Sequence, residues 1–356
     1  MNNLDYLISA AAACVLALGL TPLMIGLSKR LKILDIPSER KAHNKPMPLM
    51  GGVAIYFATI LAALFFILVF VDGLNMSLVI AFAVGITGVT AMGLIDDIMH
   101  LSAKRRLLIL FILALIVLVG CLQFYFPPTL MQSGLGIILL VSLIVVVWIV
   151  AVTNAINFAD GLDGLASCIS LMSVLGFAAI FYLQGRTQLA LPTALALFGA
   201  ILGFLPYNIN PAKLFMGDAG SMFIGFMLGI FSIMSMSEEN IREYIVPVYL
   251  ILVPIVDMAM AVLRRLIMKR PVMKPDKMHF HHILNRKFKS QRVVVVVMMI
   301  AQAISSGLGV VIYRYELYLV GWMLLCLIAT AAVVYTIFKA RRLLEIERAE
   351  ESKENH

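Results

Sequence analysis

The chain has 356 residues, 62% hydrophobic and only 13% charged, with a formal net charge of +8. A soluble globular chain carries about a quarter charged residues, so this composition excludes a soluble enzyme or binding module and defines a polytopic membrane protein. Apolar runs of about 20 residues, enough to cross a hydrocarbon core of roughly 30 Å, recur from end to end and leave no room for a large soluble domain.

Taken in order, the candidate spans are 4–27, 51–71, 77–95, 107–123, 135–153, 165–183, 190–206, 221–237, 244–263, 293–313 and 318–338. The first lacks a basic leader and a small-residue cleavage pattern, so it reads as a retained helix. One set of connections comprises 28–50, 96–106, 154–164, 207–220, 264–292 and the tail 339–356. The other comprises the N-terminus, 72–76, 124–134, 184–189, 238–243 and 314–317. Of the 28 Lys and Arg, only Arg186, Arg242 and Arg314 fall in the second set. The positive-inside rule then places the first set in the cytoplasm. It also explains the basic excess without nucleic acid. The expected fold is an all-α polytopic membrane protein of about eleven transmembrane helices, N-terminus outside and C-terminus cytoplasmic. It has one integral membrane domain, 1–338, and a charged tail, 339–356, read as a solvated helix at the membrane surface. Cys14, Cys121, Cys168 and Cys326 have no metal-ligand spacing and are expected to be small buried hydrophobes without disulfides.

The polar residues that could do chemistry cluster on the predicted cytoplasmic side. Ser38 to Gly52 carries Arg40, Lys41, His43 and Lys45 before Pro48-x-x-Gly51-Gly52. Free backbone amides at that helix start, with the basic residues, suit a phosphate; a plain basic loop is the alternative. Asp96 and Asp97 end a span and precede Lys104-Arg105-Arg106. Adjacent carboxylates there call for a metal or cations, or form a solvated helix end paired with the basic run. Asn154-x-x-Asn157-x-x-Asp160-Gly161-x-Asp163-Gly164 follows nearly pure hydrocarbon. Polar clusters at such depth are functional candidates, and the i,i+3 spacing lets each pair share a helical face. Gly217-Asp218-x-Gly220-Ser221 sets a carboxylate beside helix-start amides, suiting a metal next to a phosphate, or making Asp218 or Ser221 an N-cap. His279-x-His281-His282 lies in the most basic loop. It has no tetrahedral zinc spacing and suits hydrogen bonds to a sugar or phosphate. Asp257, inside a span, is read as joining a helix–helix hydrogen bond, with a place in the cytoplasmic cavity as the alternative.

With these five clusters in this order, the chain resembles the polyprenyl-phosphate N-acetylhexosamine-1-phosphate transferases. That superfamily includes the enzymes that start teichoic-acid and O-antigen or common-antigen chains. The resemblance covers nearly the whole chain. It implies Asp218 as principal Mg²⁺ ligand, with Mn²⁺ as a substitute ion and Asn157 as a second ligand. Asp96 and Asp97 match an acidic pair near the metal and the lipid phosphate, and Lys104 or Arg106 a basic position near the phosphates. Asp163 matches a uracil contact, with Lys45, Asp160 and Gly161 grouped in the nucleotide site. Asn154, His279, His281 and His282 fall to sugar and pyrophosphate recognition. Phe280 interrupts the histidines, unlike the consecutive run of the phospho-MurNAc-pentapeptide branch, and this favours UDP-GlcNAc or a related UDP-sugar as donor. The implied acceptor is undecaprenyl phosphate in the cytoplasmic membrane, with the active site facing the cytoplasm; a homodimer is compatible with the family. Such a transfer works mainly by positioning and charge neutralisation. The acceptor phosphate, with a second pKa of about 6 by analogy with phosphorylated side chains, is largely dianionic at neutral pH. Asp96 and Asp97 can therefore orient it, tune the metal or act as base. The reading from another class is a cation or metabolite transporter with intramembrane carboxylates, although the chain shows no internal repeat and its acidic clusters sit at one face.

Overall fold

The computed structural model describes residues 5–36, 46–71, 73, 75–125, 132–236, 240–271 and 279–354. Its helices are α1 (Asp5–Leu31), α2 (Gly51–Phe70), α3 (Met76–Met99), α4 (Ala103–Tyr125), α5 (Leu135–Ala159), α6 (Leu165–Leu183) and α7 (Ala190–Asn208). They continue with α8 (Gly217–Met234), α9 (Val246–Leu250), α10 (Leu252–Ile267), α11 (Phe280–Phe288), α12 (Gln291–Arg314) and α13 (Tyr318–Glu354). Two short strands, β1 (Leu34–Asp35) and β2 (Met47–Pro48), pair antiparallel, Leu34 with Pro48 and Asp35 with Met47. They are a small departure from an all-helical chain.

Among the described residues nine helices are long and apolar enough to cross a membrane: α1, α2, α3, α5, α6, α7, α8, α12 and the Tyr318–Glu345 part of α13. The span expected at 244–263 is broken. The segments Arg242–Leu250 and Leu252–Ile267 meet at an angle of 85°. Pro254 is the local cause, since it has no N–H to continue the helical ladder. Several expected loops are shorter than the sequence indicated. Helix α3 runs to Met99 and α5 to Ala159, so Asp96, Asp97 and Asn157 sit on last helical turns and Asn154 one turn earlier. The charged tail continues α13 without a break. All four cysteines are free; Cys121 and Cys168 are buried, while Cys326 is exposed.

Helix α8 is the axis of the molecule, with every residue but Asp218 buried. It packs against α2, α3 and α5. Its small residues explain the closeness, because without a hydrophobic force between helices in lipid, association relies on tight packing. A Cβ on Gly225 would meet Thr153 of α5, and one on Gly229 would meet Ile149. A Cβ on Gly52 of α2 would collide with the backbone of Gly220. The amino terminus of α8 is thereby pinned where α2, α3 and α5 converge.

Candidate active site

The site is built on that amino terminus. Gly217 opens α8 at φ +71°, a conformation open to glycine. A Cβ there would lie 2.6 Å from both Asp97 Oδ2 and Leu49 O. The N-cap residue Met216 supplies no side-chain cap. Asp97 of α3 does so instead: its Oδ1 accepts from Asp218 N (2.8 Å) and its Oδ2 from Ala219 N (3.2 Å). A carboxylate at a helix start satisfies orphan N–H groups and opposes the helix dipole. Neither Asp218 nor Ser221 caps α8, and the Asp218 side chain stays partly exposed.

Asp218 is held from two sides. Asn157 Nδ2 of α5 donates to Asp218 Oδ1 (2.7 Å) and to Ser221 Oγ (2.9 Å). Arg106 Nη1 lies 3.5 Å from Asp218 Oδ2 and 2.8 Å from Asp96 Oδ2. Asp96, buried, also accepts from Leu101 N at 2.6 Å. The neighbouring acids thus do different work. Asp96 fixes Arg106 and the turn after α3, whereas Asp97 fixes α8. Arg106 Nε is buried without a partner. A guanidinium that is itself partly exposed, beside the partly exposed Asp218 carboxylate, is suited to meet a phosphate. Lys104 is exposed, so of the two basic candidates Arg106 is the one brought into the cluster.

Asp160 lies in the turn between α5 and α6, partly buried. Burial, and then the charges of Asp218 and Asp163, push its carboxyl up to about 7. Asp163 turns toward the loop after α7. Its Oδ2 accepts from Asn210 Nδ2 (2.9 Å) and Ala212 N (3.1 Å), leaving Oδ1. Asn154 is partly buried and donates to Val150 O within its own helix (2.8 Å).

The histidine cluster joins this centre through Gly161 and Phe158. A Cβ on Gly161 would sit 2.6 Å from His281 Nε2, and the Phe158 and His279 rings lie 5.6 Å apart. His279 is the N-cap of α11 and contributes no side-chain cap. Asp257 caps α11 from α10: its Oδ1 accepts from Phe280 N at 2.6 Å. Its Oδ2 lies 3.3 Å from His279 Nδ1 and 3.7 Å from His281 Nδ1. These two contacts lack hydrogen-bond alignment, since both Nδ1 atoms have no hydrogen-bond partner. His281 is 1% exposed, and its Nε2 is unpartnered too. The His282 ring stands 4.3 Å from that of His281. Burial, reinforced by His281, His279 and Arg286, holds the His282 imidazole down to about 4. The expectation that Asp257 joins a helix–helix hydrogen bond holds, between α10 and α11, and the same carboxylate also faces the histidine cluster.

The glycine motif is corrected as well. Gly51 N donates to Phe215 O (3.1 Å) and Gly52 N to Met216 O (2.8 Å), and both glycines are buried. These amides are spent on the loop before α8 and are not free for an anion. Lys45, with Arg40, Lys41 and His43, lies outside the described residues.

The donor set fits a hard divalent cation. Mg²⁺ takes oxygen ligands, typically one or two carboxylates plus substrate phosphates. Asp218 offers a partly exposed carboxylate, with Asp160 and Asp163 adding further negative charge nearby. No group of three or more His, Cys, Asp or Glu is preassembled as a metal site among the described residues. Asn157 presents its N–H to Asp218, so it would ligate through Oδ1.

A membrane helix bundle that gathers carboxylates, an arginine and histidines at one end of its central helix has the makings of a phosphoryl-transfer centre. Residues 79–236 match the model of glycosyl transferase family 4. The chain is 33% identical over 318 residues to a probable undecaprenyl-phosphate N-acetylglucosaminyl 1-phosphate transferase of Bacillus subtilis (strain 168), covering 88% of this chain and 87% of the relative. It is 34% identical to a decaprenyl-phosphate N-acetylglucosaminephosphotransferase of Mycolicibacterium smegmatis, over 81% and 77% of the two chains. It is 29% identical to an undecaprenyl-phosphate alpha-N-acetylglucosaminyl 1-phosphate transferase of Escherichia coli O157:H7, over 86% and 84%. The chain belongs to glycosyl transferase family 4 and is a multi-pass membrane protein.

Proposed function

We propose that the protein transfers N-acetylglucosamine-1-phosphate from UDP-GlcNAc to a polyprenyl phosphate, undecaprenyl phosphate in bacteria that use that carrier. UMP is released and a lipid-linked sugar pyrophosphate forms, the first membrane step of a cell-envelope polysaccharide such as teichoic acid or O-antigen. The observation that carries this reading is Arg106, which bridges Asp96 and Asp218 and keeps a buried Nε unmet. A site built this way waits for an anion with more than one oxygen. The family and the names of the relatives support the substrate classes.

In the reaction an oxygen of the lipid phosphate attacks the donor phosphorus that bears the sugar. The bond from that phosphorus to the bridging oxygen breaks, and UMP leaves with the electron pair. Arg106 neutralises charge on the phosphates, which is where most of such catalysis lies. Asp97 positions Asp218 through the α8 backbone, and Asn157 orients the Asp218 carboxylate. The histidines, fixed by Asp257, present ring nitrogens to the sugar or pyrophosphate, and Asp163 Oδ1 is left for the uracil. A bound Mg²⁺, or Mn²⁺ in its place, would be held by Asp218 with Asn157 Oδ1 and would offset charge on the pyrophosphate. Both oxygens of Asp97 accept from backbone N–H groups, which favours a positioning role over that of general base.

The same reading extends to the topology. Helix α4, with Lys104, Arg105 and Arg106 near its start, and the broken pair α9/α10 complete eleven spans. The distribution of basic residues supports an N-terminus outside, with the site and C-terminus in the cytoplasm of a cytoplasmic-membrane protein. A homodimer is compatible with this arrangement. The test is donor selectivity: purified protein with undecaprenyl phosphate should release UMP from UDP-GlcNAc and not from UDP-MurNAc-pentapeptide. The reverse preference would overturn the donor assignment.

A further inference from the structure

In an unbroken helix the Leu250 carbonyl would accept from the N–H of residue 254, four positions on. That residue is Pro254, which has none. The break at Ile251 therefore strands carbonyls at the end of α9 and N–H groups at the start of α10, inside a bilayer where each unmet group is costly. One side chain of α12 answers both. Gln302, fully buried, donates through Nε2 to Leu250 O (2.8 Å) and accepts through Oε1 from Val253 N (3.1 Å). Ser306 Oγ accepts a second Nε2 hydrogen at 2.9 Å, and Ser305 Oγ donates to Tyr249 O at 2.7 Å. A primary amide carries two donor hydrogens and an acceptor oxygen on one planar group, so one side chain serves both ends of the break.

Apolar packing along this face is incomplete, although Val253 rests on the cluster of Leu165, Ile169 and Met298. A cavity of about 210 Å³ lies between α10 and α12, bordered by Val253, Val256, Asp257, Phe280, Val297 and Met298. The polar clamp at Val253 is one helical turn from Asp257, the residue that caps α11 and faces His279 and His281. We propose that Gln302 is a positioning residue for the histidine cluster: by capping both halves of the broken span it sets the course of α10 and so delivers Asp257 to His279 and His281. Gln302 itself touches no substrate. The inference rests on the reading of these histidines as part of the donor site.

The test compares Gln302→Met, close in shape but without the amide, with Asp257→Asn and the double variant, all as full-length protein in detergent. Two readouts are taken. Carbethoxylation of each histidine by diethyl pyrocarbonate, followed by mass spectrometry, reports the cluster without needing turnover; UMP release from UDP-GlcNAc reports function. In Gln302→Met, His279 and His281 should react at least fivefold faster than in the wild type, and kcat/KM for UDP-GlcNAc should fall at least tenfold. The double variant should be no more than about twofold worse than the poorer single one, because residues acting through one another are not additive. Should Gln302→Met fail to fold, Ser305→Ala, which removes one bond of the clamp, should raise labelling about twofold and lower kcat/KM in step. A lower melting temperature with wild-type labelling in Gln302→Met, additive kinetic losses, or no change in either readout for Ser305→Ala would overturn the proposal. Faster labelling in a protein whose wild type turns over no UDP-sugar would uphold the positioning role and refute the activity instead.

Discussion

Asp97 closes the amino terminus of α8 from another helix, accepting from the amides of Asp218 and Ala219 121 and 122 positions further along the chain. The same contact holds the helix and sets the neighbouring Asp218 carboxylate between Asn157 and Arg106. Asp97→Ala should therefore lose both stability, by about 1–2 kcal/mol as for a lost cap, and nearly all turnover. Asp97→Asn keeps one acceptor and should melt closer to the wild type. If Asp97 only positions, the pH–rate profile of Asp97→Asn keeps its shape at a lower rate. Loss of the acidic limb would show that it takes a proton.

Asp257 should behave as part of the site although it sits within a span. Asp257→Asn removes the charge facing His279 and His281, and its amide oxygen still accepts from Phe280 N. A fall in kcat/KM of roughly 10- to 100-fold is expected, the worth of one charge-assisted contact, with little change in melting temperature. Steady-state kinetics and a thermal melt in detergent check this together; an equal loss in both would make Asp257 structural.

The histidine cluster also gives the fold a pH dependence. His282 is held down to about 4, below the usual value of about 6.5. Above about 6.5 the ring is neutral whether the chain is folded or not, and nothing is lost. As pH falls from there toward 4, the unfolded chain takes up a proton that the folded one refuses, so stability declines. Wild type should lose more melting temperature between pH 7.5 and 5 than His282→Gln. Identical slopes would remove His282 as the cause.

Much of this site was legible in the chain. The clusters at Asp96-Asp97, Asn157, Asp160, Asp218 and His279–His282 are all brought to one end of the bundle, and their types and depth were enough to single them out. What was not legible was long-range. The amides of Gly51 and Gly52 looked free because their acceptors, Phe215 and Met216, are more than 160 residues away. Asp257 looked like an ordinary intramembrane acid because its partners follow a loop. The break at Ile251 had a local signal in Pro254, but its completion by Gln302 did not. Lys104 and Arg106 are equivalent by spacing alone; only the turn of α4 brings one of them to Asp96.

The Pro48-x-x-Gly51-Gly52 element should accordingly be intolerant for packing reasons. A Cβ on Gly52 collides with the Gly220 backbone, where neither partner can yield as a flexible side chain would. Gly52→Ala should reduce the yield of monodisperse protein severalfold. Normal yield with lost activity would return this glycine to substrate binding.

The most direct measurement is transfer of radiolabelled sugar phosphate from UDP-GlcNAc to undecaprenyl phosphate by purified protein, with and without Mg²⁺, for wild type and Asp218→Ala. A lipid-linked product and equimolar UMP are expected only for wild type with Mg²⁺, with a loss of at least a thousandfold in Asp218→Ala. Undiminished transfer by folded Asp218→Ala, or no product from any UDP-sugar with Mg²⁺ present, would contradict it.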